Sequence, residues 1–582
     1  MAQNASNSPM DLHSIRDTVE SIWVAIVLAF VLRAFLIEAF VIPTGSMAPR
    51  LLGEHWELTC DACGYEYAYG APSARAEQLR GERGEPNVPV GARCPNCAYP
   101  YEGVRGSPSS GDRVLVLKYL YRFVDPQPWD VVVFKNPQNN HENYIKRLVG
   151  LPGETIEIVH GDIFVAPSPS GPRSIRTKPK RAQDAMWQVV YDNDYQPDRR
   201  KLQDRRIVPR RWEAEPDANA WDIQGDFGRR LVFHGGAREQ RISFGVEKDP
   251  QRSADENEEA RRQLFLPTYG YNSPTKEKES SIQEGKDVCT DLRLSFTWVP
   301  RSPDAAVSLA LSSFDHHFRG ELRADGTAAL YYCQAEAGPS GDRWMPVRSG
   351  KTGPVKIGCG REVALTHVDF TVTLWADGDP VLQIKPQDYP ESYDSLKKRI
   401  RETRVPAPLV KIGAQGGPSE LLHVKLMRDV YYTDQRLDSS AGSEQNTGRN
   451  REDDPRYKYV HDPKVMAFFK IDARRVEKLS PSWGMTDYPI TLRKNSGEPD
   501  LDEFFVLGDN SPQSLDGRAW TAAAPSLRLW DADGNPQYQL GTVPRYALLG
   551  RAMFVYWPAG YSPPFLPGLP IIPNVGRMRL IR

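Results

Sequence analysis

An excess of charge of either sign is missing from this 582-residue chain, since 74 Lys and Arg residues stand against 75 Asp and Glu residues. Binding to nucleic acid usually depends on a basic excess, so this balance gives no reason to expect a nucleic-acid partner. Cysteine is also scarce, with seven residues, and this number does not support a disulfide scaffold. The chain is too long for one hydrophobic core, and 40% apolar residues indicate two to four globular domains.

Long hydrophobic runs are missing except for residues 21–42, which read SIWVAIVLAFVLRAFLIEAFVI. This length is enough to cross a hydrocarbon layer of roughly 30 Å as a helix. Arg33 and Glu38 lie near its C-terminal end, where long side chains can reach the interface. A cleavable signal peptide and a buried core helix are the alternatives, but Arg16 is the only basic residue before the run and no small-x-small site follows. We therefore predict one transmembrane helix, whose orientation the flanking charges do not decide.

Short runs of β-branched and aromatic residues dominate the rest of the chain. After Gly111 the sequence contains the runs DRVLVLKYL, VVVFK, NYIKRLVG and TIEIVHGDIFV, with Pro, Gly and Asp at the turns between them. The same pattern resumes near the C-terminus with EFFVL and ALLGRAMFVYW. From Asp291 to Asp434, alternating runs recur at the spacing typical of a β-sandwich. The predicted fold class is mainly β: an antiparallel core, one N-terminal transmembrane helix, a zinc-ribbon insert and a jelly-roll-like β-sandwich insert.

Histidine is scarce too, with ten residues and no obvious pairing with Asp, so the candidate for general base is a lysine. Ser46 lies in the Pro/Gly-rich turn PTGSMAP, which can expose a hydroxyl. Strand alternation places Lys146 on one face with Tyr144 and Leu148, a suitable site for an amine whose pKa is lowered by burial. Taken alone, both patterns also fit an ordinary turn serine and an edge lysine that reaches solvent.

Four ordered blocks strengthen this interpretation. An apolar segment leads into PTGSM, and GDRVLVLKYLYRF with DVVVFKNP, YIKRLVGLPGETIEI and FFVLGDNSPQSLDGR follow in that order. In this order the blocks resemble the sequence boxes of bacterial type I signal peptidases. The resemblance covers about a quarter of the chain, namely 21–49, 111–165 and 503–558.

The resemblance implies a serine endopeptidase that removes N-terminal signal peptides from exported preproteins after small-x-small sites. Ser46 would form the acyl-enzyme, and Lys146 would act as general base. The Thr44 hydroxyl would help the Ser46 backbone N–H to hold the oxyanion. Met47 and Tyr144 are the predicted substrate-binding residues.

The last block carries the predicted supporting residues. Ser514 matches the family serine that orients the lysine, and Asp516 and Arg518 match the supporting acidic and basic pair. The GDN opening is expected to set local backbone geometry. The chain departs from the family pattern at Ser511, where Arg is common, and at Gly517, where Ser is common, which puts the local support of the site in doubt.

The same resemblance implies partners and location. The preprotein would bind as an added β-strand, with small side chains in shallow pockets. Catalysis would need no cofactor. The protein would be a single-pass protein of the bacterial cytoplasmic (inner) membrane, in contact with lipid, with its catalytic domain outside the cytoplasm.

Two CxxC pairs, Cys60 with Cys63 and Cys94 with Cys97, lie where type I signal peptidases generally have no such element. Four thiolates in this pattern predict a structural zinc ribbon, with Gly64 and Gly91 in the tight turns. Disulfides and a redox pair are the alternatives. The other three cysteines are interpreted as small buried apolar residues.

The predicted organisation follows from these patterns. The parts are a cytoplasmic tail at 1–20, the transmembrane helix at 21–42, a protease core at 43–59, 105–165 and 457–582, a zinc ribbon at 60–104, a sandwich at 166–437 and a flexible linker at 438–456. The ligand of the sandwich is unknown. We expect deletion of 291–434 to leave proteolysis largely intact. The alternative function is a catalytically inactive, membrane-tethered protein that binds through the sandwich.

Overall fold

The computed structural model describes residues 12–71, 91–103, 108–205, 207–247, 252–268, 270–272, 287–334, 344–433, 483–520, 523–524, 527, 538–558 and 574–581. The predicted linker 438–456 lies outside the described residues, as do 72–90 of the predicted ribbon and 457–482 of the predicted core. The α-helices of the described part are α1 (Leu12–Phe35), α2 (Leu120–Phe123), α3 (Lys180–Met186), α4 (Arg199–Asp204), α5 (Ala254–Arg262) and α6 (Tyr393–Glu402).

Strands make up most of the regular structure. They are β1 (Ile37–Val41), β2 (His55–Thr59), β3 (Glu66–Gly70), β4 (Arg113–Lys118), β5 (Val131–Lys135), β6 (Asn143–Gly150), β7 (Thr155–Val159), β8 (Asp162–Ala166), β9 (Ser174–Ile175), β10 (Gln188–Asp192), β11 (Arg210–Ala214), β12 (Trp221–Asp222), β13 (Arg230–Phe233), β14 (Gly236–Val246), β15 (Leu292–Pro300), β16 (Ala306–Ser313), β17 (His316–Arg323), β18 (Thr327–Gln334), β19 (Met345–Lys351), β20 (Arg361–Val368), β21 (Thr371–Ala376), β22 (Asp379–Ile384), β23 (Val410–Gly416), β24 (Ser419–Arg428), β25 (Ile490–Thr491), β26 (Glu503–Leu507), β27 (Val543–Pro544), β28 (Leu548–Trp557) and β29 (Arg579–Leu580).

The core sheet joins the sequence blocks that resemble the signal peptidase boxes. Its strand order is β1-β4-β28-β5-β6-β26-β27, and β29 pairs with β28. Alternate residues of β5 and β6 are buried on opposite faces: Val133 and Ile145 belong to one hydrophobic cluster, and Phe134 and Leu148 belong to another. Both faces of β5 are therefore covered, which explains its apolar run VVVF.

The predicted transmembrane segment differs from the structure. Helix α1 ends at Phe35, and residues 37–41 form β1, which pairs antiparallel with β4 from Ile37 opposite Leu117 to Val41 opposite Arg113. The prediction of a single helix over 21–42 is wrong at its C-terminal end, because hydropathy alone does not separate an apolar helix from the apolar strand that follows. Within the described part of the chain, no helix combines the length and the apolar character needed to cross a bilayer.

The large sandwich consists of two antiparallel sheets. One has the order β12-β13-β24-β15-β20-β21-β22, with β10 paired to β24, and the other has the order β11-β14-β23-β16-β17-β18-β19. A single hydrophobic cluster, which includes Phe296, Leu309 and Phe318, contains side chains from both sheets. The sandwich strands run from Gln188 to Arg428, whereas α3 packs in a cluster with Ile156 of β7 and Phe505 of the core-sheet strand β26.

The sandwich is tied to the core where its last strand ends. A four-stranded sheet of order β25-β7-β8-β9 lies beside the core sheet, and side chains of this sheet share a hydrophobic cluster with side chains of β26. Side chains of the segment that follows β24 belong to the same cluster. Tyr432 of this segment is 1% exposed. The prediction of a mainly antiparallel β fold is thus confirmed, and the predicted domain boundaries stay predictions.

Candidate active site

Ser46 lies in a short 3₁₀ turn, Gly45–Met47, a few residues after strand β1. Ser46 and Met47 are both buried. The turn is held from the far end of the chain, because the Asn510 backbone N–H donates to the Ser46 carbonyl at 3.0 Å and the Asn510 side-chain amide donates to the Gly45 carbonyl at 2.8 Å. The backbone around the Ser46 hydroxyl is therefore fixed by the GDN block.

Lys146 meets Ser46 directly. The distance between Lys146 Nζ and Ser46 Oγ is 2.7 Å, and the lysine is 3% exposed. The ring of Tyr144, on the same face of β6, lies 5.1 Å from Nζ. The structure thus brings together the two side chains that the sequence blocks single out, in a site largely closed to water.

Burial lowers the pKa of Lys146 to about 8. The nearby carboxylates of Asp516 and Asp509 oppose this effect, and the guanidinium of Arg518 adds to it. A lysine with its pKa lowered in this way has a substantial neutral fraction near pH 8, and within hydrogen-bond distance of a hydroxyl it can remove the hydroxyl proton. The arrangement is therefore chemically suited to a serine nucleophile with a lysine base.

Arg518 is the centre of a fully buried polar network. It donates to both carboxylate oxygens of Asp516, at 2.9 and 2.7 Å, and neither residue is measurably exposed. It also donates to the Ser511 hydroxyl at 2.8 Å and to the Thr433 carbonyl at 2.7 Å. Asp516 accepts from the Gly508 backbone N–H at 2.9 Å. The pair fixes the loop that carries Ser514.

A second buried ion pair lies directly beside the lysine. Arg147 donates to both oxygens of Asp509, at 2.7 and 2.6 Å, and to the Trp129 carbonyl at 2.9 Å. Because neighbouring residues of a strand point to opposite faces of the sheet, Arg147 and Lys146 contact different partners. The role of Asp509 is therefore more than the local backbone geometry expected of the GDN opening.

The other predicted residues fall around this centre. Ser514 is 1% exposed and packs against Gly508, where an added Cβ would lie 2.0 Å from Ser514 Oγ and 2.6 Å from the Ser46 carbonyl oxygen. Thr44 is exposed at the entrance of the turn. Met47 is fully buried in the hydrophobic cluster of the core sheet, and its sulfur accepts from the Asp509 N–H at 3.5 Å. Its position points to support of the turn, whereas half-buried Tyr144 lies beside the lysine.

The four predicted zinc ligands converge. Their sulfur atoms lie within 4.8 Å of one another, with Cys60 Sγ 3.5 Å from Cys97 Sγ and Cys63 Sγ 3.6 Å from Cys94 Sγ. A tetrahedral site with Zn–S bonds of about 2.3 Å has S···S distances of roughly 3.7 Å, whereas a disulfide needs about 2.05 Å. The four thiols therefore fit a zinc ion.

The two knuckles have matching backbones. Gly64 N–H donates to the Cys60 carbonyl and Ala98 N–H donates to the Cys94 carbonyl, each at 2.8 Å, and both donors have positive φ. The expectation that Gly91 forms the second tight turn is wrong, because this left-handed position follows Cys97 and is occupied by Ala98.

Sequence reasoning missed three residues that reach the site from the large insert. The Tyr271 ring packs on Gly45, and the side-chain amides of Asn272 and Asn510 bond each other at 2.7 Å in both directions. Thr433 supplies the carbonyl that accepts from Arg518. No local pattern could have marked them, since their partners are far along the chain. Of the three, only Thr433 lies within 291–434, and the expectation that deletion of this stretch leaves proteolysis largely intact stays a prediction.

A cavity of about 680 Å³ opens beside the Ser46 turn. Pro49 and Arg50 border it on one side and Pro512 and Gln513 on another, with the cysteine knuckles and the start of the sandwich forming the remaining walls. Among the described residues that line it are Arg50, Arg93, Arg210, Arg428, Arg577, Arg579 and a single acidic residue, Glu66. The described lining of this cavity therefore contains more basic than acidic side chains.

Comparison with known proteins finds a family and several relatives. The family model described as signal peptidase, peptidase S26, matches residues 95–211 and 469–557. Signal peptidase I V of Bacillus subtilis is 41% identical over 69 residues, which are 12% of this chain and 40% of that protein. Signal peptidase I of Leptolyngbya laminosa is 25% identical over 194 residues, which are 32% of this chain and 65% of that protein. The chain thus spans less than two thirds of either relative.

A solved structure of the carbohydrate-binding module CBM66 from Bacillus subtilis aligns with 37% of this chain and 94% of its own, at 8% identity and a TM-score of 0.21. This likeness is too low to support an argument about the sandwich. The family match and the curated relatives confirm the resemblance seen in the ordered blocks. Over residues 95–211 and 469–557, the chain is therefore similar to the type I signal peptidases of the peptidase S26 family.

Proposed function

We propose that this protein is a serine endopeptidase that removes N-terminal signal peptides from preproteins. The observation that carries the proposal is the 2.7 Å contact between Lys146 Nζ and Ser46 Oγ in a buried site. Lys146 takes the proton of the Ser46 hydroxyl, and the oxygen attacks the scissile carbonyl; the lysine then gives this proton to the departing amine as the C–N bond breaks, which leaves the acyl-enzyme and a neutral Lys146. The same amine then activates the water that releases the product. The alternative, an inactive binding protein, has no comparable observation in its favour.

The supporting roles are part of the same proposal. Ser514 orients the lysine, and the Asp516–Arg518 pair fixes the loop on which Ser514 lies. The Ser46 N–H with the exposed Thr44 hydroxyl holds the oxyanion. Tyr144 contacts the substrate beside the lysine, while Met47 acts by holding the turn. Catalysis draws on side chains of this chain alone.

The substrate would add a strand to the core sheet. β1 is at one end of the strand order of that sheet and leads directly towards Ser46, so its backbone is available to an extended peptide. Residues of the preprotein that flank the scissile bond would enter the basic cavity beside the turn. Small side chains next to the bond would suit the closed space around Ser46.

The pH dependence of cleavage tests the lysine base. With a pKa of about 8, Lys146 is protonated and inactive as a base below that pH and neutral above it. We expect the cleavage rate of a preprotein with an Ala-x-Ala site to fall roughly 50-fold between pH 8 and pH 6 and to level off above pH 9. Product N-termini identified by mass spectrometry give the rate and the site, and circular dichroism at both pH values controls for unfolding. A rate that stays flat down to pH 6, or no cleavage at any pH, would contradict the proposal.

A structural zinc ion in the cysteine cluster is also proposed. Metal analysis should find about one zinc per chain, and Cys60→Ser should remove most of it, because three thiolates bind zinc much more weakly than four. Cys359→Ser is the matched control, since Cys359 lies outside the cluster and is exposed, so the expectation that it is buried is wrong, unlike that for Cys289 and Cys333. Metal-free protein with both CxxC pairs oxidised would refute the zinc site.

Contact with membrane lipid is the remaining part of the proposal. Helix α1 exposes Ile22, Trp23 and Val24, each more than half exposed, and apolar surface of this kind is usually covered in the working protein. A location at the bacterial cytoplasmic membrane, with the catalytic domain outside, would place Ser46 near incoming signal peptides. Cell fractionation with protease protection of the full chain tests both statements.

A further inference from the structure

A short piece of the large insert touches the turn that carries the proposed nucleophile. Tyr271 and Asn272 belong to the segment predicted as the sandwich insert, which has no counterpart in the signal peptidase blocks. They lie against Gly45, which belongs to the Ser46 turn, and against Asn510, which bonds that turn. None of the catalytic steps proposed above involves this contact.

Tyr271 is wedged between two glycines. A Cβ on Gly45 would lie 2.1 Å from the Tyr271 ring, and one on Gly70 would lie 2.5 Å from it. The ring is 6% exposed, its hydroxyl donates to the Glu54 carbonyl at 3.2 Å, and its carbonyl accepts from the Gly70 N–H at 2.8 Å. Tyr271 thereby fixes the insert both to the Ser46 turn, through Gly45, and to strand β3, through Gly70.

Asn272 completes the contact through a reciprocal amide pair. Asn272 Nδ2 donates to Asn510 Oδ1 and Asn510 Nδ2 donates to Asn272 Oδ1, both at 2.7 Å. The same Asn510 amide nitrogen donates to the Gly45 carbonyl, and the Asn510 N–H donates to the Ser46 carbonyl. Because Asn510 is fully buried, its side chain has few other orientations once Asn272 is bonded.

We propose that Asn272 is a positioning residue for the Ser46 nucleophile, so that the insert completes the active site instead of being an independent appendage. This inference rests on the proposed peptidase function. Asn272 acts through Asn510 on the carbonyls of residues 45 and 46, and so sets the direction of the Ser46 hydroxyl towards Lys146. Small errors in such a geometry cost rate more than they cost substrate binding.

The test compares Asn272→Ala with Asn219→Ala, an exposed asparagine of the same insert far along the chain from this contact. We expect Asn272→Ala to lower kcat about 10-fold or more with a much smaller change in KM, because the reacting groups are misaligned. Asn272→Asp keeps the acceptor for Asn510 Nδ2 and loses the donor, so its kcat should be intermediate. Asn219→Ala should leave both constants unchanged.

Two further measurements separate positioning from general destabilisation. Asn272→Ala combined with Asn510→Ala should be no slower than Asn510→Ala alone, since the two amides act as one unit. Amide hydrogen exchange of residues 43–53 should be faster in Asn272→Ala than in Asn219→Ala, while exchange in the sandwich strands stays the same.

The possible failures are distinguishable. If the unaltered chain cleaves preprotein while Asn272→Ala changes neither kcat nor the exchange of residues 43–53, the positioning role is overturned and the proposed function stands. Additive losses in the double variant would also overturn it. If the unaltered chain cleaves nothing, the proposed function fails and the catalytic role of Asn272 fails with it.

Discussion

Ser46→Ala is expected to lower the rate of preprotein cleavage by at least about 10³-fold, because the acyl-enzyme can no longer form. The substitution removes one buried hydroxyl and creates little empty space, so the fold should persist. Ser349→Ala, at an exposed position of β19, is the matched control and should cleave normally. The measurement is the initial rate of signal peptide removal, together with the thermal midpoint of each variant.

Substitutions of Lys146 test the same pair of Ser46 and Lys146 from the side of the base. Lys146→Met keeps the apolar stem, and Lys146→Arg keeps a positive charge that is not lost at accessible pH, yet neither can accept a proton from Ser46. Both variants should be as inactive as Ser46→Ala, and combining either with Ser46→Ala should cause no further loss. Substantial cleavage by Lys146→Arg would exclude the lysine base even if Ser46 proved essential.

Asp516→Ala is expected to have the largest effect on stability. It would leave the guanidinium of Arg518 buried without its carboxylate, and breaking such a pair costs about 3–5 kcal/mol. Asp125→Ala is the matched control, because Asp125 is 77% exposed in its ion pair with Arg545 and such pairs contribute roughly 0–1 kcal/mol. Urea unfolding followed by tryptophan fluorescence measures the difference.

The same variant should lose activity even where it remains folded. Without Asp516, the loop from Gly508 to Ser514 loses the acceptor for its first backbone N–H, so the Gly508 backbone against which Ser514 packs is no longer fixed. Equal unfolding midpoints for Asp516→Ala and Asp125→Ala, with normal cleavage, would show that the buried network contributes neither stability nor order to the site.

The central contact could be predicted from a local pattern combined with the ordered blocks. Two-residue alternation along β6 separates Lys146 from Arg147, and the structure gives each its own partner, Ser46 for the lysine and Asp509 for the arginine. The ordered blocks supplied the pairing of distant segments that alternation cannot provide. Ser511, where the family commonly has Arg, turns out to accept a hydrogen bond from Arg518, so this departure still supports the loop.

Other features could not be predicted for physical reasons. The contact of Asn272 with Asn510 joins residues 238 positions apart, and a single asparagine beside a tyrosine carries no signal of a distant partner. The end of helix α1 was misplaced because residues 37–41 are as apolar as the helix before them. What distinguishes them is pairing with β4, a tertiary contact that hydropathy does not contain.

The ion pair between Arg147 and Asp509 has a consequence for the order in which the molecule matures. These residues are 362 positions apart, and the closure of such long loops makes folding slow. During synthesis, Ser46 and Lys146 leave the ribosome long before the partners that hold them. The active site should therefore form only when the C-terminal segment has docked, so that an incompletely synthesised polypeptide should have no peptidase activity.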